Sequence, residues 1–547
     1  MKTTISALTL LIATILSALP ARGAEPMTPQ ALLKGLAEHG GGVACVARQE
    51  LFPAALQAAR NPRWTVHLLV SDRDVLGRVQ HDAHASGRLG RNLFVTAWDA
   101  TRLPHADHLL DLLFVPEGFD EAEAIRAISP LRGRAFVGNS EMTKPELTGT
   151  DWWTHRVRAA DNNPVSEDTA FRLPAVGQFM AMPFYTAYQG SLLVGNGLRI
   201  ELYDWLQRYG FGTDRRLLAG WMVARSCYNG QVVWRRRLPE TMEPDAQSCA
   251  IDDGRVYVAG DNGCEVLVID AETGADIGRI RFPDDADRRV TWLGIANGRL
   301  FALLNDWPDP KSVGGLMKHT AKLAAYAELR KEGKRPKEIE ALVADTPDPR
   351  CTGVFVCWDL AAEQLLWQHD EGAMVDHRAV ALRDGRLVFF SEDTRLACLD
   401  TGNGRLRWEN RNEEWLAGYR ISTRFRNYNL RNSSTMVIGP AGVVAFNKNH
   451  SHKAHGFDLR TGERLWTSKG GSMYKFAFVE DTISGRVDAR TNEPLEYPRG
   501  GRMGGHCGYR AWVPAIDGLL GHLSFFYKSP CSVPAMAAGG VLHYFPS

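Results

Sequence analysis

The sequence has few features that would identify a function directly. Its nine cysteines include no Cys-x-x-Cys pair, no haem-attachment motif and no adjacent Cys-Cys pair, so there is no sign of a redox dithiol, a covalent haem or a vicinal disulfide. The net charge is only +1, from 64 Lys and Arg against 63 Asp and Glu, which favours neither nucleic acid nor a membrane surface as a partner. Beyond residue 23 no apolar run is long enough to cross a bilayer, so no stable membrane insertion is expected.

The first 23 residues have the pattern of a secretory signal peptide. Lys2 gives a positive start, residues 7–18 form a short apolar stretch, and residues 21–23 are suited to cleavage. We therefore expect a periplasmic or secreted protein. In such an oxidising compartment Cys507 and Cys531, which flank the final strands, are candidates for a disulfide.

A short pattern recurs through the C-terminal two-thirds of the chain. Clear copies lie at residues 268–274, 398–408 and 456–466, and each reads as a strand, an Asp-containing turn with Gly, and a second strand, which ends in Trp in two copies. A period of roughly forty residues with several strands per unit is typical of β-propeller blades. Asp can hold the turn backbone, Gly can adopt a positive φ, and Trp can pack between neighbouring sheets. We interpret these residues as structural and not as a site.

The pattern predicts a mainly β domain over residues 175–547. We count seven blades, or eight if the first region holds two. A Lys- and Glu-rich segment at about 309–346 is expected to be a helical insert with a solvated face. Residues 150–174 are rich in turn formers and are interpreted as a linker that wraps onto the first blade.

Residues 24–149 alternate apolar runs with helical stretches, which predicts a small α/β Rossmann-like domain with parallel strands. Acids follow two of the runs, Asp72 and Asp74 after the first and Asp99 at the end of the next, and Leu-Pro-x-Ala-Asp stands at 103–107. On these residues the region resembles a class I S-adenosylmethionine-dependent methyltransferase domain. The resemblance implies that Asp72 or Asp74 binds the cofactor ribose and that Asp99 lies near the adenine.

The glycine-rich loop of that family is not matched. Residues 41–50 carry Val, Ala and Arg where small residues would let the backbone approach a cofactor. We therefore expect a degenerate domain kept as a scaffold, with Asp72 and Asp99 as vestigial positions and no bound S-adenosylmethionine.

The C-terminal repeats are similar to those of the pyrroloquinoline quinone (PQQ) type, found in quinoprotein alcohol dehydrogenases and in outer-membrane assembly propellers. The whole chain resembles exported bacterial proteins, frequent in planctomycetes, that place a methyltransferase-like domain before a PQQ-like propeller. Three motifs carry this resemblance: residues 151–155 with Asp161 and Asn162, residues 505–510, and Cys531 with residues 538–542. It implies a quinoprotein-type propeller and leaves the activity open.

Histidines interrupt the repeat in one segment, residues 447–455, and corresponding loops of a propeller converge near its axis. Neutral imidazoles suit a transition metal, and an imidazole can act as a general base near pH 7. The candidate catalytic residues are His377, His450 and His506. Asn449 and His452 are candidate ligand-binding residues, although exposed histidines in a polar loop are the common alternative.

A second segment, residues 419–432, interleaves arginines with aromatic and amide side chains. Arg binds anions through two parallel hydrogen bonds, and aromatic rings stack on sugars, so this mixture suits an anionic glycan. We take Arg424, Arg426 and Tyr428 as candidate ligand contacts; the alternative is a solvated inter-blade loop whose arginines pair with Glu413 and Glu414. In the closing motif, Arg510 is a further candidate contact, and Cys507 is interpreted as structural.

Three hypotheses follow. The leading one is an exported propeller that binds a ligand, a carbohydrate or anionic glycan, in its axial channel, with catalysis left open. The second is a PQQ-dependent oxidoreductase, which would need a calcium site that no acidic cluster in the sequence indicates. The third is a non-catalytic protein-interaction scaffold, so a protein partner also stays open.

Overall fold

The computed structural model describes two regions of unequal size. The described residues are 27–171, 178–179, 192–203, 220–239, 247–260, 264–283, 288–306, 332–333, 353–373, 375–391, 394–417, 436–447, 453–471, 477–483, 487–496, 513–514, 520–521 and 536–543. The chain divides into two compact units, residues 1–144 and residues 145–547. The signal-peptide segment and, except for 332–333, the expected helical insert lie outside the described residues.

Strands and helices alternate in the N-terminal unit. Its elements are α1 (Pro29–His39), β1 (Gly42–Val46), α2 (Phe52–Ala58), β2 (Trp64–Val70), α3 (Arg73–Ala85), β3 (Leu93–Ala97), β4 (Leu112–Val115), α4 (Glu121–Ala127), β5 (Arg134–Val137) and β6 (Ser140–Thr143). The strand order is β3-β2-β1-β4-β5-β6, with β1 to β5 parallel and β6 antiparallel to β5. The strand sequences are largely apolar because cores cover both faces of the sheet, α1 to α3 on one side and α4 on the other.

The second unit consists of small antiparallel sheets. Sheet 1 contains β7 (Leu192–Gly195), β8 (Leu198–Tyr203), β9 (Trp221–Ser226) and β10 (Val232–Arg237). Sheet 2 contains β11 (Cys249–Asp252), β12 (Arg255–Ala259), β13 (Glu265–Asp270) and β14 (Asp276–Arg281). Sheet 3 contains β15 (Arg288–Ala296), β16 (Arg299–Asp306), β17 (Gly353–Asp359) and β18 (Gln364–Asp370).

The later sheets follow the same plan. Sheet 4 contains β19 (Val375–Arg383), β20 (Arg386–Ser391), β21 (Arg395–Asp400) and β22 (Leu406–Asn410), and is followed by the short helix α5 (Glu413–Leu416). Sheet 5 contains β23 (Met436–Ile438), β24 (Val443–Phe446), β25 (Lys453–Asp458) and β26 (Arg464–Gly471). The described parts of the remaining sheets are β27 (Phe478–Val479), β28 (Thr482–Ile483), β29 (Val487–Asp488), β30 (Val513–Pro514), β31 (Leu520–Gly521), β32 (Met536–Ala538) and β33 (Val541–His543).

Successive sheets pack face to face in chain order. Separate apolar cores join sheets 1 and 2, 2 and 3, 3 and 4, 4 and 5, and sheet 5 with β27 to β29. The last described hairpin closes the series, because Ala538 and Val541 pack in one core with Leu192 and Val194 of sheet 1. This arrangement is a β-propeller of mainly β structure. The number of blades stays a prediction, since the sheets after β26 are described only in part.

The recurring Asp, Gly and Trp residues hold neighbouring sheets together, as their spacing indicates. The Trp indoles of four outer strands donate to carbonyl oxygens in the Asp-containing turn of the next sheet: Trp234 to Ala271, Trp367 to Thr401, Trp408 to Leu459 and Trp466 to Ala489, at 2.7–2.9 Å. Gly274 and Gly404 in those turns have φ of +73° and +70°, and a Cβ on either would lie 2.6 Å from the facing indole ring. Glycine is therefore required both by the backbone conformation and by the Trp.

Among the boundaries that the structure describes from sheet 1 to β29, the one between sheets 2 and 3 lacks this contact. In sheet 2, Gly278 pairs with Val268 in the register at which Trp408 pairs with Cys398 in sheet 4. In the facing turn of sheet 3, the residue with positive φ is Glu363, at +52°. The turns that face Trp234, Trp367 and Trp408 have Gly at this position, and the turn that faces Trp466 has Asn492, at +58°.

The two ends of the sheets carry different kinds of connection. The first strands, β7, β11, β15, β19 and β23, pack against one another in succession and are therefore the innermost. Short hairpin turns at 196–197, 253–254, 297–298 and 384–385 follow them, each with positive φ at both residues as in type I′ turns. These turns and the Asp-containing turns lie at one end, the turn face. At the opposite end, the loop face, strands terminate on either side of the longer segments 204–219, 307–352, 418–435 and 448–452.

Residues 151–168, which we call the strap, run along the turn-face ends of the innermost strands. They accept one backbone N–H from each of six consecutive sheets, at 2.8–3.0 Å. The pairs are Val194 to Trp153 O, Ile251 to Thr154 O, Ile295 to His155 Nε2, Leu382 to Ala160 O, Ile438 to Asp161 O and Phe478 to Asn163 Oδ1. The segment interpreted as a linker onto the first blade is thus part of the propeller interior.

Candidate functional site

Most of the predicted site residues lie outside the described part of the chain. They are His450, His506, Arg424, Arg426, Tyr428, Asn449, His452, Arg510, Cys507 and Cys531. The strands that border two of these segments are described: β22 and β23 flank 418–435, and β24 and β25 flank 448–452. All four strands terminate at the loop face next to these two segments.

His377 is the predicted catalytic residue that the structure describes. It lies near the start of β19, an innermost strand, at the loop face, and its side chain is only 4% exposed. Beside it, the Arg378 guanidinium donates from Nε and one Nη to the two carboxylate oxygens of Asp376, both at 2.8 Å. The pairing of β19 with β20 is irregular between Val375 and Val380, which turns this stretch away from regular ladder geometry.

Other buried polar side chains occupy the same end of neighbouring sheets. Asn305, which is 3% exposed, donates from Nδ2 to Thr291 Oγ1 at 2.9 Å and to Val375 O at 3.3 Å, so it joins sheet 3 to sheet 4. Gln247 before β11 and Asn447 after β24 are also buried. We call this set the loop-end polar residues: Gln247, Thr291, Asn305, Asp376, His377, Arg378 and Asn447. Burial of polar side chains costs free energy unless they form hydrogen bonds, so these residues need hydrogen-bond partners.

His455 differs from what the histidine-rich segment suggests. It lies in β25 and not in an exposed loop, its side chain is buried, and its Nδ1 lies 2.9 Å from Thr467 Oγ1. Burial, with Arg464 and Lys453 nearby, lowers the pKa of His455 to about 4. It is therefore neutral near pH 7 and packs as a structural residue against Trp415.

The vestigial cofactor positions of the N-terminal unit make local contacts. Asp72 caps α3 by accepting the N–H groups of Asp74 and Val75. Asp99 accepts both the N–H and the hydroxyl of Thr101, and these hydrogen bonds lower the pKa of the Asp99 carboxyl. Their roles as vestigial cofactor positions stay predictions.

Arg48 occupies the carboxyl edge of the same sheet. It follows β1, at the point where the strand order reverses between β1 and β4, which is where open α/β sheets bind ligands. Its guanidinium donates to Glu50 Oε1 at 2.7 Å and to Gly138 O, beyond β5, at 2.8 Å. The side chain that replaces the expected glycine thus spans the crevice.

A second repeat in the sequence marks the hairpins whose strands donate to the strap. Each of four donor residues is a large aliphatic residue two positions before an Asn-Gly or Asp-Gly pair: Val194, Ile251, Ile295 and Leu382. This signal identifies the hairpins of the innermost strands. The strap itself has a weaker signal, because most of its acceptors are backbone carbonyls, which any residue carries.

The described residues show no cluster of metal ligands, and most of their thiols are buried. They contain no group of three or more His, Cys, Asp or Glu side chains placed to hold a metal ion. The six described cysteines are free thiols, and five of them are buried. Burial raises the pKa of both Cys357 and Cys398 to about 12, so these thiols are protonated near pH 7.

Among the helices that the structure describes, none is long and apolar enough to cross a membrane.

Comparison with known proteins identifies the repeat type. Residues 352–475, which run from β17 of sheet 3 through sheet 5, match the PQQ-type family model described as outer membrane protein assembly factor BamB. These repeats are therefore BamB-like. No curated protein matches the chain in sequence.

The solved structures to which the chain is similar are distant. BamB from Moraxella catarrhalis is 12% identical, with 55% of this chain and 66% of that chain covered and a TM-score of 0.30. A quinohemoprotein alcohol dehydrogenase from Pseudomonas putida is 12% identical, with coverage of 63% and 50% and a TM-score of 0.33. A europium-containing methanol dehydrogenase is 9% identical, with coverage of 64% and 62% and a TM-score of 0.33. The chain covers less than two thirds of each of these proteins.

Proposed function

We propose that this exported protein binds a carbohydrate, preferably an anionic glycan, at the loop face of its propeller axis. The observation that carries the proposal is the set of buried loop-end polar residues, contributed by sheets 2 to 5 around His377. Such side chains at one end of the innermost strands can supply directional hydrogen bonds to sugar hydroxyls. The strap occupies the turn-face ends of the same strands, so a ligand would enter from the loop face.

The glycan part of the proposal rests on residue chemistry. Arg424, Arg426 and Tyr428 belong to the segment between β22 and β23, and Asn449 and His452 to the segment between β24 and β25. Guanidinium groups suit carboxylate or sulfate groups of a glycan, and a phenol ring suits a sugar face. Arg510 and His506 would add contacts from the closing motif. The proposal assigns binding to these residues and leaves a reaction at His377, His450 or His506 open.

Calorimetric titration of the purified exported form tests this function. The probes are an oligogalacturonate and, as its neutral counterpart, a cello-oligosaccharide of equal length. We expect the uronate to bind more tightly, and Arg426→Gln to weaken it about tenfold because an ionic hydrogen-bonded contact is lost. Arg405→Gln, an exposed arginine in a turn-face turn, is the matched control and should bind as the wild type does. Failure of both sugars to bind the wild type would remove the carbohydrate proposal.

A scaffold function is the second candidate, and it is favoured by the BamB-like match and by the outer rim. Ile277, Leu366 and Leu406, in the outer strands of sheets 2, 3 and 4, are 36–51% exposed. Exposed aliphatic side chains on successive outer strands suit a protein partner. Crosslinking in exporting cells should capture a partner that Leu366→Glu no longer captures, while Arg405→Gln has no effect.

The described residues do not fit a quinone site with calcium. The buried carboxylates of the described propeller already have partners: Asp161 with Arg383, Glu201 with Arg225, Glu265 with Arg279, Asp376 with Arg378, Asp458 with Arg490, and Asp168 with backbone N–H groups. Calcium would need several such oxygens at one point.

For the N-terminal unit we propose a scaffold role derived from a methyltransferase-like domain. The strand order and the alternation of helices support the ancestry, and Arg48 across the crevice supports the loss of cofactor binding. Titration with S-adenosylmethionine should give no heat, and binding at micromolar affinity would contradict this role.

A further inference from the structure

We infer that the strap and the last described hairpin form a clasp that holds the propeller ring closed. This inference is independent of any ligand. It concerns two of the motifs that carried the family resemblance, residues 151–155 with Asp161 and Asn162, and residues 538–542, for which neither binding nor catalysis provides a role. The structure brings these two motifs together.

The six strap-bound amides are equivalent in position. Each innermost strand is followed by a turn, and the donor residue lies two positions before the first of the central residues of that turn. Val194, for example, lies two positions before Asn196, and Leu382 lies two positions before Asp384. An innermost strand is an edge of its sheet, so its outward N–H groups need partners from elsewhere. The strap supplies one acceptor to each sheet in chain order and thereby fixes the position of every innermost strand relative to the next.

Side chains of the strap reinforce the boundaries between sheets. Asn162 donates to Val380 O of sheet 4 at 2.8 Å and to Met436 O of sheet 5 at 3.1 Å, so one amide group bridges two sheets. Asn163 forms a two-way pair with Phe478, donating to its carbonyl and accepting its N–H, both at 2.9 Å. Asp161 pairs with Arg383 at 2.5 Å. These contacts are buried, so their loss would leave polar groups without partners.

The two ends of the strap meet each other. Glu167 N donates to Asp151 Oδ2 at 2.8 Å, and Arg158 pairs with both Asp151 at 2.7 Å and Glu167 at 3.0 Å. Asp151 N also donates to Asp168 Oδ2 at 3.3 Å. The strap is therefore a closed loop, which returns to its starting point after contacting the six sheets.

The last described hairpin is fastened where the strap ends meet. Gly539 N donates to Asp151 O at 3.0 Å, and Gly540 N donates to Asp168 Oδ2 at 2.8 Å. From sheet 1, the Tyr228 hydroxyl donates to Gly539 O at 3.0 Å. The first sheet, the strap and the final hairpin thus join at one point. Opening of the ring between its first and last sheets would require release of this point, and with it of the strap.

A matched pair of glycine variants in the full chain tests the clasp. Gly539→Ala adds a Cβ 2.6 Å from the Trp152 ring at φ +63°, and Gly404→Ala adds one 2.6 Å from the Trp367 ring at φ +70°. The first change is at the clasp, and the second is at the rim between sheets 3 and 4. The readout is native-state hydrogen exchange of the six donor amides.

We expect Gly539→Ala to accelerate exchange of all six amides together, by about tenfold, since one opening exposes them. Gly404→Ala should accelerate only Ile295 and Leu382, the donors of sheets 3 and 4. If Gly539→Ala affects only sheet 1 and the final hairpin, the clasp inference is wrong. If that variant does not fold, hydrogen exchange of the wild type is measured in increasing denaturant. The clasp predicts that the exchange rates of the six amides converge, so that all six open together. Six independent openings would overturn the inference.

Discussion

The two faces of the propeller are built on different principles. At the turn face, four sheets share the same two-residue hairpin turn, six sheets donate an equivalent backbone amide, and a single segment, the strap, accepts from all six. At the loop face, connections differ in length from sheet to sheet, and the buried polar residues differ in type: Gln247, Thr291 and Arg378 each lie six positions before the hairpin turn of their own sheet. A recurring residue is explained by a recurring structural need. The residues that do not recur are therefore the better candidates for function.

We therefore expect substitutions at the turn face to lower the free energy of unfolding and substitutions at the loop face to weaken ligand binding. The largest loss of stability is expected from Asn162→Ala. It removes two buried hydrogen bonds and places Ala at φ +60°, so we expect about 3 kcal/mol less free energy of unfolding.

The control for this variant is Asn403→Ala, which changes an exposed turn residue whose Oδ1 accepts the Arg405 N–H. Its cost should stay below about 1 kcal/mol. Denaturant unfolding of both variants provides the measurement, and equal losses would remove the special status of the strap.

Acid should weaken the turn face. His155 Nε2 accepts the Ile295 N–H, so the ring must be unprotonated at that nitrogen. Burial lowers the pKa of His155 from 6.5 to about 4. Because the folded-state pKa lies below the unfolded one, the contribution of His155 to stability is complete above pH 6.5 and is lost as the pH falls towards 4, by about 1.4 kcal/mol per pH unit.

His455 has a similarly lowered pKa, so the informative quantity is the difference between variants. His155→Gln retains an acceptor group and removes the titration. Its stability should depend less steeply on pH between 6.5 and 4 than that of the wild type. Parallel pH profiles would show that His155 does not couple the strap to sheet 3.

A smaller effect is expected at the rim. Trp408→Phe keeps an aromatic ring beside Gly462 and removes the hydrogen bond to Leu459 O. We expect a loss of about 1–2 kcal/mol in the free energy of unfolding, limited to the boundary between sheets 4 and 5. A loss equal to that of Asn162→Ala would mean that rim and strap contribute alike.

The smallest loss of stability is expected at the loop face, from His377→Asn. Asp376 and Arg378 remain paired in this variant, so we expect a cost of about 1 kcal/mol or less in unfolding. Binding of oligogalacturonate, measured by calorimetry, should nevertheless fall at least about tenfold. If the affinity for oligogalacturonate is unchanged and the free energy of unfolding falls strongly, His377 is a structural residue and not a ligand contact.

The repeat was predictable because side chains, and not backbone groups, form its contacts. The Asp458 carboxylate accepts a backbone N–H of its own turn, and the Trp408 indole donates to the next sheet. Each contact requires a particular residue type, so the same residue recurs at the same spacing in the sequence. The strap escaped prediction because Trp153, Thr154 and Ala160 act through their carbonyl oxygens, which leave no residue preference. Its contacts also join residues far apart in sequence, such as Asn163 and Phe478.

The candidate site was predictable only in part, for a different reason. His377 was identified as a histidine near the axis, and its burial beside an ion pair depends on the irregular pairing of β19, which no local pattern indicates. His455 was grouped with its histidine neighbours in a loop, whereas it belongs to β25, in which every residue after Lys453 is buried. Asn305 was missed because a single amide at the end of a strand is not distinctive.

Hydrogen exchange along β19 tests the division between the two faces most directly, since this innermost strand contains both. With saturating oligogalacturonate, the amides of Asp376, His377 and Arg378 should exchange more slowly, while that of Leu382, held by the strap, should be unchanged. Protection of Leu382, or no change anywhere along β19, would contradict the account.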